Sequence, residues 1–165
     1  MRSLQLEAFD GATVPNAIYP PPDRLTVERA RREANLLIRA ATQTGPASGR
    51  YNCHGLVLAS RRTNVPGTEI EVDARDILSR DGFSPLLPHI APQPGDVAVY
   101  VHEGGGRTEA DHTGFVCRVD TLAADPIVFI WSMWGGLGEF VHHANSSPYT
   151  GCVIEYWRLG HDPLP

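Results

Sequence analysis

The stretch Pro94-Gly95-Asp96-Val97-Ala98-Val99-Tyr100-Val101 decides the fold, because the chain changes texture there. Before it, residues 84–95 carry four prolines (Pro85, Pro88, Pro92, Pro94) and read as loop. After it, apolar and polar residues alternate over 96–101 and again over 113–119. A strongly apolar run follows at 127–134, then alternation at 139–143 and a closing run at 153–159. Gly104-Gly105-Gly106, Asp125-Pro126, Gly135-Gly136 and Gly138 punctuate these predicted strands.

Upstream the period is helical. Leu25, Val27, Ala30, Ala34, Leu37, Ile38 and Ala41 form one apolar stripe flanked by arginines, and Thr44-Gly45-Pro46 stops it. A second helix is predicted to start after Asn52, a good N-cap, with Arg61-Arg62 at its C-terminal end. A third spans 73–80, closed by Asp81-Gly82. Helices first and an antiparallel meander second is the α+β layout. We expect a five- or six-stranded antiparallel sheet with the N-terminal helices packed on it. No internal repeat is present. Residues 1–24, ending in Tyr19-Pro20-Pro21-Pro22, are expected to be an extended Pro-rich arm, leaving 25–165 as a single domain.

A chain of 165 residues can bury a substantial core without disulfide or metal staples. Its net charge of −5 argues against nucleic-acid binding. All 14 basic residues are arginine, which excludes Schiff-base lysine chemistry. No apolar run approaches the ~20 residues needed to span a bilayer. The N-terminus, with Glu7 and Asp10 and no apolar core, does not read as a secretory signal, so synthesis in the cytoplasm is expected. Three cysteines are too few for a disulfide framework.

Among these, Cys53 falls in the first turn of a predicted helix. A helix N-terminus and a cationic imidazole each favour the thiolate, the nucleophilic form. Cys117 in mid-strand and Cys152 at a strand start read as small buried hydrophobes. His112 is the expected partner: it opens the strand Thr113-Gly114-Phe115-Val116-Cys117, and Gly114 on the same face is expected to leave room beside it.

Three pieces in this order resemble the NlpC-like papain-type cysteine peptidases and the related CHAP amidases. They are Cys53-His54-Gly55-Leu56, Pro94-Gly95-Asp96-Val97-Ala98-Val99-Tyr100 and His112-Thr113-Gly114-Phe115-Val116. The resemblance covers about residues 50–158. Ser132-Met133-Trp134-Gly135, Gly138-Glu139-Phe140-Val141-His142 and Pro148-Tyr149 look like a subgroup with a Ser-Xaa-Trp-Gly signature. Two positions depart from the common pattern: Asn52 stands where Asp is usual and His54 where Ser is usual. The resemblance implies a papain-like fold with Cys53 as nucleophile and His112 as base. It also implies a polar third residue that holds the imidazole. Ser132 is the position it points to, with Glu139 and His142, a backbone carbonyl or water as the competing choices. The oxyanion hole would use the Cys53 N–H and one more donor, for which Tyr51 and Asn52 are candidates. Trp131, Trp134 and Trp157 read as core or cleft wall, and His54 as cleft lining.

The activity so implied is amide hydrolysis through a thioester. A peptidoglycan stem peptide is the commonest substrate in that superfamily, and a protein-directed protease or deamidase is the alternative. A catalytically inactive binding module on the same fold is the reading from another class. A cell-wall target for a chain without a leader would imply a specialised secretion route, an antibacterial toxin and an inhibitor protein as partner. No cofactor is expected. His102-Glu103 lacks the second histidine of a zinc-protease helix, and Asp111, His112, His142 and His143 show no diagnostic metal-ligand spacing.

Overall fold

In the computed structural model, which describes residues 2–66, 73–104, 107–121, 125–149 and 151–160, the alternating segments build one antiparallel sheet. Its strands are β1 (Thr42–Gly45), β2 (Phe83–Pro85), β3 (Val97–Gly104), β4 (Arg107–Asp120), β5 (Ile127–Met133), β6 (Glu139–His143) and β7 (Val153–Leu159). Their spatial order is β1-β6-β5-β4-β3-β7-β2. The helices are short: α1 (Arg24–Glu33), α2 (Asn35–Arg39), α3 (Cys53–Leu58) and α4 (Ala74–Arg80), with a 3-10 turn at Gly135–Leu137. None of the described helices is long and apolar enough to cross a membrane.

Side-chain alternation gives the sheet two apolar faces. On one, Val97, Val99, Val101, Ala110 and Trp157 pack against Ala74 and Leu78 of α4, while Met133 meets Cys53 and Leu56 of α3. On the other, Ala98, Tyr100, Val116, Val128 and Ile130 form a second cluster. Beside it, Phe140, Trp134 and Leu137 pack against Ala34. The N-terminal segment makes isolated bridges (Arg2 to Ile18, Glu7 to Thr13, Ala17 to Asn64) and sends Leu6, Ala8 and Val14 into a cluster with Ala59, Val65 and Ile77.

The fold is α+β and antiparallel, with seven strands rather than five or six. The two additional strands lie at the sheet edges. Thr42–Gly45 reads as a helix stop and Phe83–Pro85 as the start of a loop, because neither carries apolar alternation. Each exists by pairing, β1 with β6 and β2 with β7. The predicted helix over 25–41 is divided at Ala34, whose ψ of 10° ends α1. Ala34 is buried against Trp134 and Leu137, so the chain changes direction where it follows that surface.

His112 does not open its strand. It lies inside β4, which runs on as a long hairpin with β3 from Val97↔Phe115 to Gly104↔Arg107. It is nevertheless at an edge with respect to β5, since Gly114 pairs with Ser132 and β5 ends at Met133. Gly114 leaves no open space: a Cβ there would stand 2.5 Å from Ile130 Cγ2 and 2.8 Å from Ser132 Cβ. Glycine is required because β5 approaches closely. Cys117 is exposed rather than buried, because the register shifts between Val116 and Arg118 and breaks the alternation.

Gly114→Ala is therefore expected to lower stability by about 2 kcal/mol through overpacking, read from urea unfolding. Gly136→Ala, whose added methyl would meet nothing nearer than 3.8 Å, is expected to stay within about 0.5 kcal/mol of the parent.

Candidate active site

A helix of six residues has little stability of its own, so tertiary anchors fix the position of α3. Asn52 caps it: its Oδ1 accepts from Gly55 N at 2.8 Å and from Val65 N at 3.1 Å, while its Nδ2 donates to Val65 O at 2.7 Å. Gly55 permits the close approach of the following turn, where a Cβ would collide with Thr63 O. Beyond the helix, Ser60 and Arg61 adopt left-handed backbone (φ 47° and 64°). Arg61 consequently turns away from the helix end and reaches Glu139, with Nε to Oε1 at 2.6 Å and Nη2 to Oε2 at 3.0 Å.

Cys53 and His54 are both buried in this first turn. Burial alone would push the Cys53 thiol up. Instead it lies well below the ordinary thiol value, because the imidazoles of His54 and then His112 favour the thiolate. Burial opposes the charged form of His54 too. The Cys53 thiolate, with Asp73 and Asp111 behind it, more than offsets that and raises the His54 pKa. Its Nδ1 stands 3.2 Å from Thr113 Oγ1, which holds the ring. His54 thus bears electrostatically on the sulfur, ahead of His112.

His112 is the second such imidazole. Its ring is fully buried, stacked on Tyr149 at 3.9 Å with 14° between planes, and meets the edge of Tyr100 at 5.2 Å. Neither ring nitrogen has a hydrogen-bond partner. The charge of His112 and its side-chain contact with the sulfur nevertheless favour the Cys53 thiolate.

Ser132 does not hold His112. Its Oγ is 2.9 Å from His142 Nε2 and accepts from Trp134 Nε1 at 3.1 Å. His142 Nδ1 faces the carbonyl of His143 at 2.9 Å, which can only accept. Burial pushes the His142 pKa down to about 4, so the ring is neutral near pH 7. Nδ1 then carries the proton, and Nε2 accepts from the Ser132 hydroxyl. Glu139 lies on the α3 face and is saturated by Tyr51 Oη, Arg61 and Trp131 Nε1, so it is not an orienter for His112 either. Tyr51, whose hydroxyl is given to Glu139 and whose pKa is raised to about 12 by burial and that contact, has no donor left for an oxyanion. The side chain of Asn52 is spent on its cap.

No family model, curated protein or solved structure matches this chain.

Tyr149, Thr113, Asp73 and Asp111 are members of this neighbourhood that sequence reasoning did not single out as site residues. Tyr149 had a signal in Pro148-Tyr149, whereas the others become visible only through the register of β4 and the cap of α4. A groove of about 330 Å³ adjoins the site, lined by Ala30, Ala34 and Leu37 on one side and Trp134, Leu137 and Tyr149 on the other.

The electrostatics predict the order of thiol reactivity. The imidazoles of His54 and His112 keep Cys53 ionised to lower pH, whereas partial desolvation raises Cys117, and burial with the Asp111 carboxylate raises Cys152. Alkylation followed by peptide mass spectrometry is expected to give Cys53 the lowest pH midpoint of the three, below the ordinary thiol value of about 8.5. His54→Ala is expected to move that midpoint upward, and further than His112→Ala does. Coincident midpoints for the three thiols would contradict this account.

Proposed function

We propose that this protein is a cysteine hydrolase of amide bonds on a papain-like arrangement, with Cys53 as nucleophile and a peptide as substrate. The observation that carries the reading is a buried thiol at a helix start whose ionisation is favoured by two imidazoles.

The thiolate of Cys53 attacks the carbonyl carbon and forms a tetrahedral oxyanion. The N–H of Cys53, one of the first N–H groups of α3 and so without an acceptor inside the helix, is the proposed donor to that charge. Collapse of the intermediate expels the amine, which takes its proton from an imidazolium at the sulfur, and leaves a thioester on Cys53. Water then attacks the thioester, giving its proton to the freed imidazole, and releases the acid and the thiolate. His112, following the resemblance, is the proposed general base. His54 sustains the ion pair with the thiolate. The polar chain Trp134–Ser132–His142 stands behind His112 as part of the sheet.

Peptidoglycan stem peptide is the first substrate to test, on the strength of the resemblance. A protein substrate is the second reading. The groove beside Tyr149, lined by Leu37, Trp134 and Leu137 together with Glu33, supports it as a place for a substrate side chain.

Mass spectrometry of peptidoglycan and of an unfolded protein, each digested with the intact chain and with Cys53→Ala, tests the proposal. New termini are expected from one of the two, absent with Cys53→Ala and reduced by about 10²–10⁴-fold with His112→Ala. No new termini from either substrate would overturn it in favour of a binding module.

A further inference from the structure

Apart from the thiol of α3, one trio of ligand-type side chains converges among the described residues. His102 on β3, Asp111 on β4 and Cys152 just before β7 each offer one donor atom, and these atoms lie within 4.8 Å of one another. Cys152 Sγ stands 3.7 Å from Asp111 Oδ2. Two ligands roughly 2.0–2.3 Å from one tetrahedral zinc are about 3.5 Å apart, so this edge already has the length a shared ion requires.

The sheet explains why residues so distant in sequence meet. Val101 pairs with Ala110 on one side and Val153 on the other, so His102 and Cys152 flank this pairing on neighbouring strands. Asp111 is the extra residue between the pairs Tyr100↔His112 and Val101↔Ala110. A bulged residue leaves the strict alternation of its strand, which lets this carboxylate turn toward the other two donors. His102 on β3, the bulged Asp111 on β4 and Cys152 at the entry to β7 are therefore held beside paired backbone.

The donor set selects the metal. An imidazole, a carboxylate and a thiolate suit a borderline ion such as Zn²⁺, with Co²⁺ as its spectroscopic substitute, and disfavour the all-oxygen ions Mg²⁺ and Ca²⁺. His102 and Asp111 are exposed and Cys152 half-buried, so an ion can enter from solvent and complete its shell with water. We propose that His102, Asp111 and Cys152 form a binding site for a zinc-class divalent cation, which borders the Cys53 neighbourhood at Asp111 but does not use that thiol and does not rest on the hydrolase reading. The linear spacing 102, 111, 152 gives no hint of it, because the sheet register and not a loop motif assembles the ligands.

Cobalt titration tests this on the double variant Cys53→Ser/Cys117→Ser, in which Cys152 is the one remaining thiol. One equivalent of Co²⁺ is expected to give a saturable thiolate-to-cobalt charge-transfer band that Zn²⁺ displaces. His102→Ala and Asp111→Asn, both surface changes checked for fold by circular dichroism, are each expected to weaken binding at least about tenfold. In the chain with native Cys53 and Cys117, Cys152→Ser is expected to remove that equivalent. The absence of a saturable band, or an affinity unchanged by either substitution, would overturn the site.

Discussion

A carboxylate removed from water stays ionised only where donors replace the water, and Glu139 is the point at which this chain meets that requirement. It is nearly fully buried, and Tyr51, Arg61 and Trp131 all donate to it. The Arg61 and Tyr51 bonds outweigh its burial and hold its pKa below the usual carboxylate range. Those donors come from the residue two before Cys53, the left-handed turn after α3, and β5. The guanidinium of Arg61 also lies 4.4 Å from the Trp131 ring centre, which adds a cation–π contact. One buried charge thus fastens both ends of a helix too short to stand alone to the sheet that carries His54's partner, Thr113. Removing Arg61 would leave the Glu139 charge buried with fewer donors, whereas the half-exposed Arg61 could turn to water if Glu139 were removed.

Much of this architecture is legible in the sequence, and the reasons differ element by element. Asn52 followed by Cys53 announced a helix start because a capping side chain acts within three residues, and the bond to Gly55 N is that interaction. Alternation revealed the β3, β4 and β6 segments, and a strongly apolar run and a closing run revealed β5 and β7. The strands β1 and β2 were not legible: Thr42, Gln43 and Thr44 are exposed, and their strand geometry comes from the neighbour they pair with. For the same reason Cys117 misled. Strict alternation places it toward the interior, and a register shift that only β5 defines turns it out.

The site shows a similar division. Sequence order supplied Cys53 and His112 as a pair and Ser132, Glu139 and His142 as candidate supports. It could not distribute those supports between faces. Parity along β5 and β6 places Ser132 opposite Phe140 and Ile130 opposite His142, so Ser132 and His142 share a face and bond to each other. Glu139, one residue from Phe140, falls on the other. His54 was discounted because its neighbour in sequence points about 100° away on an ideal helix. That separation does not keep the two groups apart here, since both are buried against β4 and β5 and share one low-dielectric space.

Two imidazoles at one sulfur need not play equal parts, and their surroundings separate them. His54 sits where positive charge is favoured: the thiolate faces it, Asp73 and Asp111 add their fields, and Thr113 fixes Nδ1. His112 has no such company, as both its nitrogens lack partners and its faces and edges are occupied by Tyr149 and Tyr100. Its orientation is therefore set by aromatic packing and not by a polar third residue. A stacked ring at 3.9 Å restricts rotation of the imidazole while leaving its nitrogens uncommitted to a fixed acceptor. Under the proposed hydrolase reading, this leaves the charge that favours the thiolate to His54 and the proton exchange to His112.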